Sequence, residues 1–131
     1  MPQTDCVEAV RNVLDAVARR DLARLLELMD PEIEWQSFFA LHGREYHGHD
    51  GIRRYLSDVS EAFEYLRPLP GDLLAVGEVV VGAGRIQYRG RTSGVETESP
   101  AGWMFKFRHG KVLRFRAFRE PEQALEALGL Q

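Results

Sequence analysis

The sequence predicts a single α+β domain in which helices cover one face of a mostly antiparallel sheet. Helical periodicity is confined to the first half of the chain, and the second half alternates apolar and polar residues as strands do. His109 and Gly110 join two alternating segments, as in a tight hairpin. The 131 residues are 44% hydrophobic, enough for one core without disulfides, so we expect one domain over residues 1–131.

Two helices and a strand are predicted first. Apolar residues recur at helical spacing within Cys6–Ala18, and Asp21 opens a second short helix that ends at Asp30-Pro31. From Glu32 to Phe39 the residues alternate with the period of a half-buried strand. We therefore expect two helices to precede the first strand.

A third helix and two strands are predicted next. Asp50 is a suitable N-cap, and an apolar stripe follows it up to Arg67-Pro68. Pro68, Pro70 and Gly71 then predict a turn. Two strands are expected beyond it, over Leu73–Val81 and Gly84–Arg91.

The final hairpin has one aromatic face. Trp103, Phe105 and Phe107 share a face of its first strand, and the alternation predicts that Leu113, Phe115 and Ala117 continue that face on the second. A short amphipathic helix is expected from Pro121.

The order of elements and several short motifs resemble the nuclear-transport-factor-2-like (NTF2-like) superfamily, in particular its SnoaL-like branch of small bacterial proteins. The motifs that carry the resemblance are Asp21-Leu22, Asp30 to Trp35, Tyr46 to Arg53, Ser93-Gly94, Trp103 to Val112 and Ala124 to Leu130. The resemblance implies a cone: a curved sheet closed by three N-terminal helices around an apolar pocket, with a short C-terminal helix. It implies no cofactor, and it leaves the activity open, because the fold hosts isomerases, cyclases, epoxide hydrolases and binding proteins.

The catalytic groups of the enzymes in this superfamily can be sought in the chain. Ketosteroid isomerases use a general-base Asp on the first strand, a Tyr on the first helix and a protonated Asp on a later strand. At the corresponding positions this chain has Ser37, Val13 and Trp103. Cyclases and epoxide hydrolases of the fold place essential Asp residues on later strands, whereas here none follows Asp72. The sequence therefore supports none of these mechanisms.

Other groups could transfer protons. His42 and His47 lie in the loop that crosses the open end of the cone in relatives, and His titrates near neutrality. The competing interpretation is that His47 to His49 form a turn before the third helix and that Asp58 is a solvated residue at the edge of its stripe. The weak catalytic candidates are His42, His47 and Asp58. The spacing of the His residues does not match a helical ligand pair, so we expect no metal site.

The inward-facing residues predict a pocket for a small hydrophobic molecule. Tyr55 and Tyr88 are its expected polar groups. The predicted lining is Val13, Trp35, Ser37, Phe39, Tyr55, Val59, Tyr88, Trp103, Phe105, Phe115 and Ala117. The expected function is binding of a polyketide-, steroid- or terpenoid-like metabolite, with or without modest acid–base chemistry. The alternative is a non-catalytic interaction module, which a cone filled by Trp35 and Trp103 would favour.

The outward-facing residues of the hairpin predict a partner surface. Lys106, Arg114, Arg116 and Phe118 share this face, and we expect a homodimer through it, although salt bridges within the chain would explain its basic residues equally well. The net charge of −3 gives no reason to expect a nucleic-acid partner. A single Cys6 suits a reducing compartment, and no apolar run approaches the ~18 residues of a membrane span, so a cytoplasmic location is expected.

Overall fold

The computed structural model describes residues 3–37 and 45–129, and these form four helices and six strands. The sheet order is β2-β1-β6-β5-β4-β3, and every neighbouring pair is antiparallel except β1 and β6. The α+β prediction is confirmed, with two strands preceding the third helix. The elements are α1 (Gln3–Arg19), α2 (Leu22–Leu28), β1 (Met29–Gln36), β2 (Tyr46–His47), α3 (Gly48–Ala62), β3 (Phe63–Val76), β4 (Val79–Gly90), β5 (Glu96–Arg108), β6 (Lys111–Phe118) and α4 (Pro121–Gly129).

The main core lies between the first three helices and the concave face of the sheet. Val10 and Val13 of α1 are fully buried, as are Phe105 and Phe107 of β5. Burying one such side chain stabilises the fold by about 1.5–3 kcal/mol, so this layer supplies most of the driving force for folding. Within the described residues, no helix combines the length and apolar character needed to cross a membrane.

A smaller core lies on the opposite face of the sheet, beneath α4. Val81 and Met104 are buried there against Ala124, and Phe118 is partly buried at its edge. The alternation placed Met104 and Phe118 on this outer face, and the return of α4 across the sheet explains why both are apolar.

The predicted turn at Pro68–Gly71 is wrong. Strand β3 runs through it and pairs with β4, with a register shift between Pro70 and Leu73. Because β3 is the edge strand, its prolines need not donate to a neighbour on the outer side. The true turn is at Gly77-Glu78, where Gly77 has a φ of 60°. The two strands predicted over 73–81 and 84–91 are therefore β3 and β4, with different bounds.

Helix α3 also differs at both ends from the prediction. Its N-cap is His47 rather than Asp50, and the His47 side chain makes no capping hydrogen bond. Asp50 instead lies in the first turn, where a carboxylate interacts favourably with the helix dipole, and it forms an ion pair with Arg53.

Two arginines mark the early end of α3 at Ala62. Arg91 Nε donates to the Ser60 carbonyl over 3.0 Å, and Arg20 Nη2 donates to the Phe63 carbonyl over 2.8 Å. Both are long-range contacts to carbonyls at the end of the helix, which would otherwise lack partners. A local pattern could not predict them.

The hairpin prediction is confirmed, with one correction. His109 and Gly110 both have positive φ, at 53° and 78°, as a tight turn between twisted strands requires. A bulge follows it, because Phe107 pairs with Val112 while Lys106 pairs with Arg114. Leu113 is thus the extra residue and is only partly buried, and Val112 takes the buried position predicted for it.

Candidate functional site

A small cavity lies between the helices and the concave face of the sheet. It encloses about 20 Å³, and its described lining contains six of the predicted pocket residues: Trp35, Ser37, Tyr55, Trp103, Phe115 and Ala117. Five further residues complete that lining: Leu14, Val17, Leu66, Pro68 and Ile86. None of these eleven side chains is charged, so the cavity presents an almost entirely apolar surface.

The other predicted pocket residues lie elsewhere. Val13, Val59 and Phe105 are fully buried in the core beside the cavity. Tyr88 packs its ring edge-on against Phe63 at 5.6 Å and is not part of the cavity lining. Two predicted site residues, Phe39 and His42, lie outside the described residues.

Aromatic stacking accounts for the small volume of the cavity. The ring of Trp35 lies 4.1 Å from that of Phe115 and 5.2 Å from that of Tyr55, measured between centroids. Phe115 in turn contacts Phe105 at 4.8 Å. These contacts hold the indole of Trp35 in one position, because each ring is restrained by the next.

The polar atoms of the cavity are concentrated around Tyr55. Burial raises the pKa of the Tyr55 hydroxyl to about 12, whereas hydrogen bonds with the side chains of Ser37 and Trp35 act to lower it. At neutral pH the hydroxyl is therefore protonated and available as a donor. Ser37, Trp35 and Tyr55 thus form a polar corner in an apolar cavity.

The indole N–H of Trp35 is the unusual group in this corner. Trp35 is 1% exposed, and its Nε1 atom makes no hydrogen bond of good geometry among the described residues. Its side chain nevertheless lies close enough to Tyr55 for a hydrogen bond between the two to lower the Tyr55 pKa. The N–H is therefore associated with Tyr55 within this corner.

Asp58 is linked through Tyr46 to Tyr55, one of the aromatic residues that line the cavity. The Tyr46 hydroxyl donates to Asp58 Oδ2 over 2.6 Å, and the ring of Tyr46 contacts that of Tyr55 edge-on at 5.5 Å. Asp58 is partly buried, so it is not simply a solvated residue on the flank of α3. It nevertheless lies outside the described lining of the cavity.

The candidate His47 and three further titratable residues lie outside the described lining of the cavity. His47 is exposed and borders a separate surface cleft of about 270 Å³. His49 places its Nε2 3.1 Å from the Met29 carbonyl oxygen, and Glu78 and Arg119 are exposed. In residues 3–37 and 45–129 no three His, Cys, Asp or Glu side chains gather in a way that could hold a metal ion.

A larger apolar groove of about 320 Å³ lies on the outer face of the sheet, between α4 and strands β3 and β4. Val81 and Ala124 are among the residues that line it, and the exposed Asp72 and Glu122 also border it. Despite its volume, it is the weaker candidate site, because its described lining contains none of the predicted pocket residues.

The basic residues of the outer face are largely paired with side chains of β1. Arg114 Nε lies 3.1 Å from Glu34 Oε2, and Arg116 Nη1 donates to Gln36 Oε1 over 2.6 Å. These contacts follow from the parallel register of β1 and β6. The salt bridging left open by the sequence is therefore present, and it reduces the positive charge that this face presents.

There are identifiable reasons why the sequence pattern missed five residues of the cavity lining. The sequence pattern predicts a helix end at Leu66 and a turn at Pro68, whereas both residues lie in β3. Leu14, Val17 and Ile86 had the correct inward periodicity for core residues. What placed them at a cavity was the curvature of the sheet, which periodicity does not report.

Several solved structures share this architecture. An NTF2-like protein of unknown function from Burkholderia pseudomallei K96243 superposes with a TM-score of 0.80 at 21% sequence identity. The superposition covers 93% of this chain and 95% of the Burkholderia chain. TerC co-crystallized with polyporic acid gives 0.78 at 22% identity, with 95% and 98% covered. An LEH-like epoxide hydrolase of M. tuberculosis gives 0.74 at 13% identity, with 98% and 97% covered. At these identities the likeness establishes the fold alone.

The sequence itself identifies the family. No curated protein matches the chain significantly. Residues 10–115, however, match the SnoaL-like domain, and this match extends from α1 to the aromatic face of β6. With the cone-shaped architecture, it confirms the resemblance inferred from the motifs: the chain belongs to the SnoaL-like domain family, on the NTF2-like fold.

Proposed function

We propose that this protein binds a small, uncharged and mainly apolar molecule at the cone cavity. The observation that carries the proposal is the described lining of that cavity, in which apolar side chains surround one polar corner formed by Ser37, Trp35 and Tyr55. The described lining has no charged side chain, and a charged ligand would lose its hydration there without compensation. A polyketide-, steroid- or terpenoid-like metabolite has the required character.

The volume of the cavity limits how such a ligand enters. A cavity of about 20 Å³ accommodates a group no larger than one water molecule. A whole metabolite can therefore enter only if the aromatic side chains that line the cavity move. Otherwise most of its carbon skeleton stays at the opening of the cavity. TerC, on the same fold, was co-crystallized with polyporic acid, which supports a small organic molecule as the kind of ligand.

We propose no reaction at this site. The Tyr55 hydroxyl has a pKa of about 12 and cannot act as an efficient base near neutral pH. The carboxylate of Asp58 accepts a hydrogen bond from Tyr46 and is not part of the described cavity lining.

A non-catalytic interaction module is the second candidate. It is favoured by the same small volume, because Trp35 and Trp103 occupy space that a ligand would need. The two candidates differ in whether any small molecule binds inside the cone.

Intrinsic fluorescence tests the proposal, since the chain has only two tryptophans and both line the cavity. We expect a saturable change on titration with polyketide-like, steroid-like or terpenoid-like compounds. Trp35→Phe and Trp103→Phe each leave one reporter and assign the response.

Leu125→Ala is the matched control, because Leu125 lines the outer groove and is 59% exposed. Binding in the cone leaves the response of this variant unchanged. Loss of the response in Leu125→Ala would move the site to the outer groove. If no compound changes the fluorescence of the wild type, the interaction module replaces the proposal.

A further inference from the structure

We propose that the outer groove, between α4 and strands β3 and β4, is a second ligand site that binds a small apolar molecule carrying one ammonium or amidinium cation. The proposal does not depend on the proposed function, because the groove and the cone cavity lie on opposite faces of the sheet and take ligands of different charge. It rests on the size of the groove, its exposed apolar side chains and the two carboxylates at its border.

The first step concerns the shape of the groove. It encloses about 320 Å³, which is within the range of small-molecule sites and much larger than the cone cavity. Val81 of β4 and Ala124 of α4 line it and are each 1% exposed, so they form its floor. A ligand in the groove therefore rests on the packed side chains of the smaller core and does not need to displace them.

The second step concerns the apolar walls. Leu74 of β3 is 54% exposed, and both Leu74 and the exposed Leu125 of α4 border the groove. Val76 follows Leu74 on the same face of the strand and is also exposed. Apolar side chains that share one exposed patch mark a binding site, whereas single exposed ones do not. A ligand between Leu74 and Leu125 removes this surface from water, which favours binding.

The third step concerns Asp72, which a β-bulge places beside this apolar surface. The register of β3 and β4 shifts so that Gly71 and Asp72 together face the single residue Ala83. A Cβ on Gly71 would lie 2.9 Å from the Ala83 carbonyl oxygen, so the bulge requires glycine there. Pro68 lines the cone cavity, and plain alternation would place Asp72 and Leu74 on the same inner face. The extra residue reverses this parity, and both residues border the outer groove.

The fourth step concerns charge. Asp72 and Glu122 are the charged residues of the described groove lining, and both are exposed. Neither carboxylate forms a hydrogen bond or ion pair with another described residue. Glu122 also lies in the first turn of α4, where the helix dipole favours an acid, so Asp72 is the more specific of the two. Two carboxylates without a base in this apolar lining favour a cation with an apolar body.

The test compares two probes that differ in charge at one position. 1-Naphthylmethylamine is a cation at neutral pH, and 1-naphthylmethanol is its uncharged counterpart of nearly equal size. We expect the amine to bind the wild type about fivefold more tightly than the alcohol by calorimetry at low salt, as exposed ion pairs provide. The preference should decrease at an ionic strength of about 0.5 M, because salt screens exposed charges.

Conservative substitutions assign the preference to the two carboxylates. Asp72→Asn and Glu122→Gln each remove one charge at nearly constant size. Each should lower the affinity of the amine about twofold and leave that of the alcohol unchanged, and the double variant should abolish the preference. Glu126→Gln is the matched control, because Glu126 is an exposed residue of the same helix outside the described groove lining.

Leu74→Ser tests the location of the site. It should weaken both probes about fivefold, because it removes apolar contact surface that they share. Val95→Ser is the matched control, since Val95 is 60% exposed and lies outside the described groove lining. Both substitutions are at exposed positions, so we expect both variants to fold.

Three results would overturn the inference. Equal affinities of the amine and the alcohol for the wild type would mean that the carboxylates recognise no cation. Unchanged affinities in Leu74→Ser would place the probes outside the groove. Absence of amine binding would also refute it, and a smaller assembly of Leu74→Ser than of the wild type in light scattering would then identify a second copy of the chain as the occupant. The proposed function at the cone is decided separately, by its own titration.

Discussion

Asp30 and Arg108 show how a single polar pair is tolerated at the edge of the core. Asp30 is 5% exposed, and its carboxylate accepts two hydrogen bonds from Arg108, at 2.8 and 3.1 Å. The backbone N–H of Glu32 donates a third, at 2.8 Å. Hydrogen bonds from Arg108, followed by that from Glu32, lower the pKa of Asp30 below its ordinary value.

The pH dependence of stability follows from the sign of this shift. The folded state favours the ionised form, so the contribution of Asp30 is fully present above its unfolded pKa of about 3.9. It is lost as the pH falls through the lower pKa of the folded state. Acid unfolding should therefore include protonation of this group.

We predict that Asp30→Asn lowers the free energy of unfolding at pH 7 by about 1.5–3 kcal/mol, because it weakens charge-assisted hydrogen bonds. Urea unfolding at pH 7 and pH 3 measures the effect, and the difference between the variant and the wild type should shrink at pH 3. Asp50→Asn is the control, since the side chain of Asp50 is 98% exposed. An equal loss of stability at both pH values would contradict the assignment.

Helix α4 shows how one element changes the character of a sheet face. Ala124 is 1% exposed and contacts the cluster of Val81 and Met104. Gly102 permits this close approach, because a Cβ at its position would lie 3.0 Å from the Cα of Pro121. The outer face is thus partly covered by the chain itself.

We predict that Ala124→Asp lowers the free energy of unfolding by about 2–3 kcal/mol, because it buries a charge beneath α4. Leu125→Asp is the matched control, as it introduces the same charge one residue later at an exposed position. Urea midpoints of the two variants provide the comparison. Equal midpoints would mean that α4 does not pack on the sheet in solution.

The whole molecule has the NTF2-like fold, and the resemblance to ketosteroid isomerases implies that Ser37, Val13 and Trp103 take the positions of their catalytic Asp and Tyr residues. Ser37 and Trp103 line the cavity, and Val13 is buried in the core. Each missing catalytic group is worth about 10² or more in rate.

We therefore predict no appreciable Δ5-3-ketosteroid isomerisation by the purified protein. The absorbance of the conjugated enone measures the reaction, and a ketosteroid isomerase assayed in parallel confirms the substrate. A rate comparable to that of the isomerase would refute the prediction.

Assembly is the second prediction for the whole molecule. We expect a homodimer through the outer face that carries Lys106, Arg114, Arg116 and Phe118, because Arg and aromatic residues are favoured at interfaces. Arg116→Glu should weaken it by reversing a charge on the proposed interface, whereas Arg53→Glu, at an exposed position of α3, should not. Light scattering at micromolar concentration measures the state, and a wild-type monomer would exclude this interface.

Local patterns predicted the elements wherever one periodicity was uninterrupted. The hairpin around His109-Gly110 and the stripe of α1 are examples, because turn chemistry and burial of one face act over a few residues. The pattern failed at Pro68–Gly71, where the edge position of β3 made prolines acceptable in a strand.

The sequence by itself determined the α+β class, the family and the inward parity of Trp35, Tyr55 and Trp103, since these follow from periodicity and short motifs. Only the tertiary structure decided that aromatic stacking reduces the cavity to about 20 Å³ and that Ser37, Trp35 and Tyr55 meet in one polar corner of it. The physical reason is that packing volume and hydrogen-bond partnership depend on residues distant in the chain, such as Phe115 beside Trp35, which periodicity cannot bring together.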